Sequence, residues 1–168
     1  NTTASNNTAV GYQSLKANTT GASNTAVGQS ALSLNTTASN NTALGFHSLL
    51  QNTTGTENVG LGRFTLYTTT TGDNNTAVGT NALFANTTAD KNTAVGSNAL
   101  AANTTGTKRT AVGVESQKGS DTETDNTVSM GYRAMFLNAA TTADATDSVA
   151  VGYEAMSASA STTASLIN

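Results

Sequence analysis

Asn7-Thr8-Ala9-Val10-Gly11 is the stretch that decides the fold, because it recurs along the chain. The other copies, close or loose, occupy residues 24–28, 41–45, 58–62, 75–79, 92–96, 109–113, 127–131 and 148–152. From the first copy to the seventh, the closing glycines are 17 residues apart. A fixed period in this range indicates a solenoid or a related array, in which each repeat is one structural unit stacked on the next.

Several positions hold the same residue types in every regular repeat when Asn7 is counted as position one. Position four is Val or Leu, position five Gly, position nine Leu and position twelve mostly Asn, followed by a Thr pair. We assign a structural role to Val10, Gly11, Leu15, Asn18, Val27, Gly28, Leu32, Asn35, Leu44, Gly45, Leu49, Asn52, Val78, Gly79, Leu83, Val95, Gly96, Leu100, Val112, Gly113, Gly131, Val151 and Gly152. Positions six, seven, ten and sixteen vary, and we predict that they lie on the surface.

The repeat favours strands over helices. A 17-residue unit is too short for two helices and a turn, and Asn-Thr-Thr-Gly is poor helical sequence. Thr-Ala-Val-Gly is short, β-branched at alternate positions and closed by a turn residue, which is typical of a strand. We therefore predict an all-β parallel solenoid of about nine coils, stacked roughly 4.8 Å apart. We expect two strands per coil, at positions two to five and twelve to fourteen.

Stacking of the coils places like residues on like. The Asn residues of positions one and twelve would each form a column, in which side-chain amides hydrogen-bond from coil to coil. The Gly column would allow a positive φ at a corner where a Cβ would clash. We interpret the Asn columns as structural ladders in preference to a ligand surface.

The regularity divides the chain in two. Residues 1–113 hold regular 17-residue repeats, whereas residues 114–168 hold irregular repeats of the same solenoid with longer loops, notably around 114–126 and 138–147. The chain also opens in the middle of a repeat, from which we expect it to be a segment of a longer protein.

The composition of the chain argues against two classes of partner. The 168 residues include no Cys, Pro or Trp, and the net charge is −3. A slightly acidic chain lacks the basic surface that nucleic acid requires, and no apolar run approaches the roughly 20 residues of a membrane span. We therefore expect no nucleic-acid partner and no membrane insertion in this segment.

No catalytic or metal-binding constellation can be recognised in the sequence. Asp121, Glu123 and Asp125 alternate like the start of a calcium loop, but an EF-hand needs Gly and Glu where Asn126 and Tyr132 stand. The single His47 has no companion ligand, and we predict that it is exposed and inert. We predict that the chain is not an enzyme and that it has no catalytic residue, metal site or cofactor.

The first strand points to a partner chain. Its positions two and four lie on one face and positions three and five on the other, and neither face is charged. A strand that is apolar on both faces is covered on both faces. One face is the solenoid interior, and we expect the other to pack on a second copy of the chain.

The stretch Ser148-Val149-Ala150-Val151-Gly152-Tyr153-Glu154-Ala155 resembles the head repeat of trimeric autotransporter adhesins of the Yersinia adhesin A type. The 17-residue form, Asn-Thr-Ala-Val-Gly through Asn-Thr-Thr-Gly, also resembles repeats of phage tail fibres. The resemblance implies a left-handed β-roll assembled as a homotrimer. It further implies an extracellular location, in a virion tail fibre or on a bacterial outer surface, and a role in attachment to cells.

Two classes of function remain open from the sequence. The first is a structural shaft or head segment of a trimeric fibre. Its candidate surface contacts are Tyr12, Phe46, Tyr132 and Tyr153. These side chains would contact a cell-surface glycan or protein receptor, or else pack along the rod or against a neighbouring chain. The alternative is an ice-binding or other lattice-binding solenoid that uses ranks of Thr. Against it, the two Thr of positions thirteen and fourteen are adjacent, so that strand alternation would send only one outward.

Overall fold

The computed structural model describes residues 3–119, 125–136 and 147–157. It confirms an all-β parallel solenoid, with one nine-stranded sheet whose spatial order is the chain order. The solenoid makes about eight turns, and each of its nine strands is three residues long. The strands are Thr8–Val10 (β1), Thr25–Val27 (β2), Thr42–Leu44 (β3), Val59–Leu61 (β4), Thr76–Val78 (β5), Thr93–Val95 (β6), Thr110–Val112 (β7), Val128–Met130 (β8) and Val149–Val151 (β9).

The register of the sheet follows the repeat. Thr8 pairs with Thr25 and Val10 with Val27, and equivalent repeat positions stay paired through β7, with Val59 and Gly60 of β4 in place of Thr and Ala. The sheet crosses the predicted boundary at residue 113, because β7 pairs with β8 and β8 with β9. Each strand contacts only its sequence neighbours, which is the organisation of a quasi-one-dimensional repeat protein.

The interior of the solenoid is narrow. In the strands from β2 onward, the middle residue is buried and the residues on either side of it are not. The buried column is mostly Ala, and it faces the Leu column of position nine, in which Leu32, Leu49, Leu66, Leu83 and Leu100 are fully buried. Each regular coil thus buries one large apolar side chain, worth about 1.5–3 kcal/mol. The Val and Leu of position four lie on the outside.

Glycine at position five is required by geometry. Gly11 has a φ of 129°, in a region that other residues rarely adopt. A Cβ on this residue would lie 2.7 Å from the carbonyl oxygen of Gly28, the equivalent residue of the next coil. Backbones of successive coils therefore approach one another at this corner too closely for any side chain, as the sequence predicted.

The prediction of a second strand at positions twelve to fourteen is wrong. Among the described residues each coil contains a single strand. In the first coil the N–H groups of Thr19 and Thr20 both donate to the carbonyl oxygen of Thr36, at 2.9 and 3.3 Å. A strand ladder needs alternate N–H groups to point to opposite sides. Two successive donors that share one acceptor cannot continue such a ladder.

The turn that follows the strand uses left-handed residues that the sequence did not reveal. Gln13 and Leu15 have φ values of 57° and 48°, and positions seven and nine repeat these values in the later coils. A left-handed residue other than Gly costs about 1–2 kcal/mol. Hydrogen bonds between coils offset that cost, for example from Leu15 N to Ala31 O at 3.1 Å and from Ser30 N to Tyr12 O at 2.8 Å.

The two Asn columns are structural ladders, as predicted, and they meet at one carbonyl group. In the first coil, Asn7 Nδ2 and Asn18 Nδ2 both donate to the Gly21 carbonyl oxygen, each at 2.8 Å. Asn7 Oδ1 then accepts from the backbone N–H of Asn24, and Asn18 Oδ1 accepts from Asn35 Nδ2. Each pair of Asn side chains therefore closes its own coil and bonds it to the next.

One ladder is interrupted in the middle of the rod. Position twelve of the fourth coil is Thr69, whose hydroxyl donates to the Asn86 carbonyl oxygen at 3.0 Å. Asn52, one coil earlier, still donates to Asn35 Oδ1 and to the Gly55 carbonyl oxygen. Its own Oδ1 is buried and finds no donor among the described residues. A buried acceptor without a donor costs about 1–3 kcal/mol.

We expect that Thr69→Asn stabilises the protein. The new Nδ2 would donate to Asn52 Oδ1, as Asn52 itself donates to Asn35, and the gain should be about 1 kcal/mol per chain. Chemical denaturation of the two proteins measures it. Thr70→Asn, at the adjacent half-buried position, is the matched control and should bring no gain. Equal effects of the two changes would contradict the ladder as described.

Whole-period deletion tests the register. Deletion of residues 24–40 joins Ser23 to Asn41 and re-forms every column one coil shorter, so we expect only a small loss of melting temperature. Deletion of 25–40 leaves one residue too many, which misplaces the buried Asn and Leu side chains of a coil. Circular dichroism melts should show the second deletion at least about 2 kcal/mol less stable than the first. Melts that coincide would rule out a 17-residue register.

Candidate interaction surfaces

The outer face of the sheet is an apolar strip flanked by Thr. Position four is exposed or half-buried along the whole rod, with Val10 57%, Leu44 48% and Val151 66% exposed. Position two of the same strands also points outward and holds Thr in six of the nine strands. Ordinary surfaces expose single apolar residues, so a row that continues along the rod makes this face a candidate interaction surface.

Thr recurs in three columns of the repeat, at positions two, thirteen and fourteen. At position thirteen the hydroxyl is used inside the chain, as when Thr36 Oγ1 donates to the Thr53 carbonyl oxygen at 3.2 Å. At position fourteen the Thr residues, Thr20 and its equivalents, are exposed. At position two, Thr25 and Thr76 on the sheet face have no hydrogen-bond partner for their hydroxyls in the described part of the chain. This third rank was not among the Thr residues that the sequence suggested for lattice binding, which were those of positions thirteen and fourteen.

Five rings gather on the turn side of the third, fourth and fifth coils, and we name them the aromatic patch: Phe46, His47, Phe64, Tyr67 and Phe84. Phe46 and His47 stack with ring centroids 3.8 Å apart. Phe64 meets Phe46 and Tyr67 edge to face, each at 5.4 Å. Tyr67 and Phe84 are parallel at 5.2 Å, close to the spacing of neighbouring coils.

The patch arises because coil stacking brings together variable positions. Phe46 is at position six, His47 and Phe64 are at position seven, and Tyr67 and Phe84 are at position ten. Two of the contacts are local, Phe46 with His47 and Phe64 with Tyr67, but those that join one coil to the next link residues 17 to 20 apart. Aligning the repeats by column would have placed the rings side by side. The signal was therefore present in the sequence, although only Phe46 was predicted as a surface contact.

The prediction that His47 is exposed is wrong. Its ring is half-buried, since Phe46 stacks on it and Tyr67 lies 6.1 Å away. Its Nδ1 atom is shielded from solvent and has no hydrogen-bond partner in the described part of the chain. Positions seven and ten are not freely solvated, because Ser30 and Ser33 at the same positions of the second coil are buried.

The structure does not bring the four predicted surface aromatics together. Tyr12 stands near one end of the rod, 70% exposed, with only Gln13 bonded to its hydroxyl. Phe46 belongs to the aromatic patch. Tyr132 and Tyr153 stack on one another near the other end, with centroids 5.4 Å apart. All four are exposed, as predicted, but they form three separate sites.

A charged cluster spans the irregular coils. Glu115 accepts hydrogen bonds from Lys118 Nζ and Arg133 Nε, both at 2.7 Å, and the Arg133 guanidinium also lies 4.9 Å from the ring centre of Phe136. The hydrogen bond from Lys118, followed by that from Arg133, holds the pKa of Glu115 below its usual value. The hydrogen bond to Glu115 raises the pKa of Arg133. These contacts connect the coils on either side of residues 120–124.

The predicted acidic loop lies partly outside the described residues, which include Asp125 but neither Asp121 nor Glu123. Asp125 Oδ1 accepts a hydrogen bond from the backbone N–H of Thr107 at 2.7 Å, so this carboxylate has a structural role between coils. In residues 3–119, 125–136 and 147–157 there is no group of three potential metal ligands. The same ranges contain no helix long and apolar enough to cross a membrane.

Comparison of the chain with known proteins finds no family model, no curated protein and no solved structure that matches it.

Proposed function

We propose that this chain is a shaft or head segment of a homotrimeric extracellular fibre that takes part in attachment to a cell surface. One observation carries the proposal: the apolar strip on the outer face of the sheet. Its nine position-four residues are Val10, Val27, Leu44, Leu61, Val78, Val95, Val112, Met130 and Val151. A second copy of the chain is the partner that matches such a strip coil for coil.

Packing energetics support an assembly. Each regular coil buries a single Leu as its only large apolar side chain and holds left-handed residues at positions seven and nine. Hydrogen bonds between coils compensate for part of the backbone ordering, whose cost is of order 1–2 kcal/mol per residue. Burying position four against another chain would roughly double the large apolar side chains buried per coil. The strip is roughly 40 Å long at the spacing of β-strands, which suits a contact along the whole rod.

The trimer, the fibre and the extracellular setting are proposed from the resemblance of the Ser148–Ala155 stretch to adhesin head repeats and of the 17-residue unit to tail-fibre repeats. The repeat architecture suits a shaft, because each added 17-residue unit lengthens the rod without changing its cross-section. A virion tail and a bacterial outer surface both use such a part to hold a binding element away from the main body.

A second function has one specific observation in its favour. The Thr rank of position two lies on the same outward face as the apolar strip, with free hydroxyls about 4.8 Å apart along the sheet. A regular row of Thr hydroxyls and methyl groups is suited to an ordered lattice such as ice. Both functions would use the outer face of the sheet. A protein whose outer sheet face is buried in an assembly should therefore show no thermal hysteresis.

We expect the segment to sediment as three chains in analytical ultracentrifugation, and Val95→Asp to disrupt the assembly. Val95 is 37% exposed in the single chain, where a charge would be solvated and mild. At a chain–chain contact the same charge is buried unpaired, at a cost of more than about 4 kcal/mol per trimer. The change should therefore lower both the trimer fraction and the melting temperature.

Ser97→Asp, two residues further along and past the glycine corner, is the control and should leave both quantities nearly unchanged. A folded monomer with strand-type circular dichroism, in which both variants melt like the parent, would refute the assembly. Thermal hysteresis of that monomer, lost on Thr76→Tyr, would then favour the lattice-binding alternative.

A further inference from the structure

The aromatic patch is a part of the surface where variable positions of successive coils carry rings in place of the usual small or polar residues. Apart from Arg133 and Phe136 in the irregular repeats, the other described residues at positions seven and ten are Ser, Asn, Gln, Glu, Ala, Lys or Leu. In three successive coils these positions, with position six, supply five rings in mutual contact. Arg63 lies against them, its guanidinium carbon 4.5 Å from the ring centre of Phe64. Folding does not demand the rings, since the neighbouring coils stack with small polar residues at the same positions.

We propose that the aromatic patch is a lateral binding site for a neutral saccharide. The patch offers flat apolar ring faces, as the C–H face of a pyranose ring requires. Hydrogen-bonding groups accompany them, namely the Tyr67 hydroxyl and the Arg63 guanidinium. Asn81 follows in the position-seven column, although its Nδ2 already donates to Asn98 Oδ1 at 3.2 Å. Apolar rings with a few polar groups at their edge are the usual composition of a small-ligand site.

The size of the patch favours a saccharide over a protein. An aromatic side chain has about 200 Å² of surface. Phe46 is 37% exposed and the other four rings are half-buried. The rings therefore present less than about 400 Å² together, whereas a stable protein contact needs roughly 800 Å² from each partner. A patch of this size covers two or three sugar rings laid along the rod.

The charge of the chain argues against a nucleic-acid ligand at the patch. The chain has a net charge of −3, and Arg63 is the one cation in contact with the rings in the described part of the chain. A nucleic-acid strand would need a row of Lys and Arg for its phosphates. The rings lie mainly on the turn side, beyond the glycine corner from the strands, so a sheet-to-sheet assembly leaves positions seven and ten uncovered. The inference rests on the attachment role in the proposed function and specifies the ligand class.

Saturation-transfer NMR and calorimetry with three soluble probes, cellotetraose, β-1,4-galactotetraose and chitotetraose, test the proposal on the intact segment. We expect at least one probe to bind and Phe46→Ala to weaken it by at least about threefold, the value of one ring contact. Arg63→Gln should also weaken binding. Tyr12→Ala is the matched control, because Tyr12 occupies the same repeat position without ring neighbours, and it should leave the affinity within about twofold.

Absence of binding by all three probes overturns the proposal, as does an equal loss from Phe46→Ala and Tyr12→Ala. Melting curves of each variant show whether the fold is retained, which we expect since Phe46 and Arg63 are exposed. Sedimentation of the same samples separates the two hypotheses. A trimer that binds no saccharide refutes only the ligand assignment, and a monomer that binds refutes only the assembly.

Discussion

The fold depends on a carbonyl group that accepts two amides. In each regular coil with Asn at both positions, the Asn of position one and the Asn of position twelve donate to the carbonyl oxygen of position fifteen, as Asn7 and Asn18 do to Gly21. Those contacts join the start of a coil to its end and make a closed loop of a 17-residue unit. The remaining Oδ1 atoms bond to the next coil. Buried amides of this kind stabilise only if every lone pair and proton has a partner, so the columns tolerate little substitution.

This constraint explains why so polar a chain can fold. Most buried side chains of positions one and twelve are amides, and the only large apolar residue inside a regular coil is Leu. The polar interior is satisfied by hydrogen bonds, with exceptions such as Asn52 Oδ1 where Thr69 interrupts the column. The interior thus fixes the register of the coils and specifies a single fold. Most of the apolar surface of the strands lies on the outside, where another chain can cover it.

The period, the parallel sheet, the Asn ladders and the glycine corner could all be predicted from the sequence, because each follows from stacking identical residues at a 17-residue spacing. The second strand could not be excluded, since Thr19 and Thr20 have a high strand propensity and only their shared acceptor breaks the ladder. The left-handed Leu residues were hidden for a similar reason. Leu disfavours that conformation, and inter-coil hydrogen bonds that no local pattern reveals impose it.

The surface sites differ in how they arise from the repeat. The apolar strip belongs to every coil, so it lengthens with the rod and suits a symmetric contact between copies. The aromatic patch belongs to three coils only, because Phe46, Phe64 and Phe84 replace small or polar residues at positions that stacking leaves free to vary. A solenoid separates these two demands: fixed positions hold the rod together, and variable positions can acquire a binding site without disturbing the ladder beneath. His47 shows the limit of that freedom, since its Nδ1 atom is shielded from solvent beside the neighbouring rings, has no hydrogen-bond partner in the described part of the chain, and therefore lowers stability.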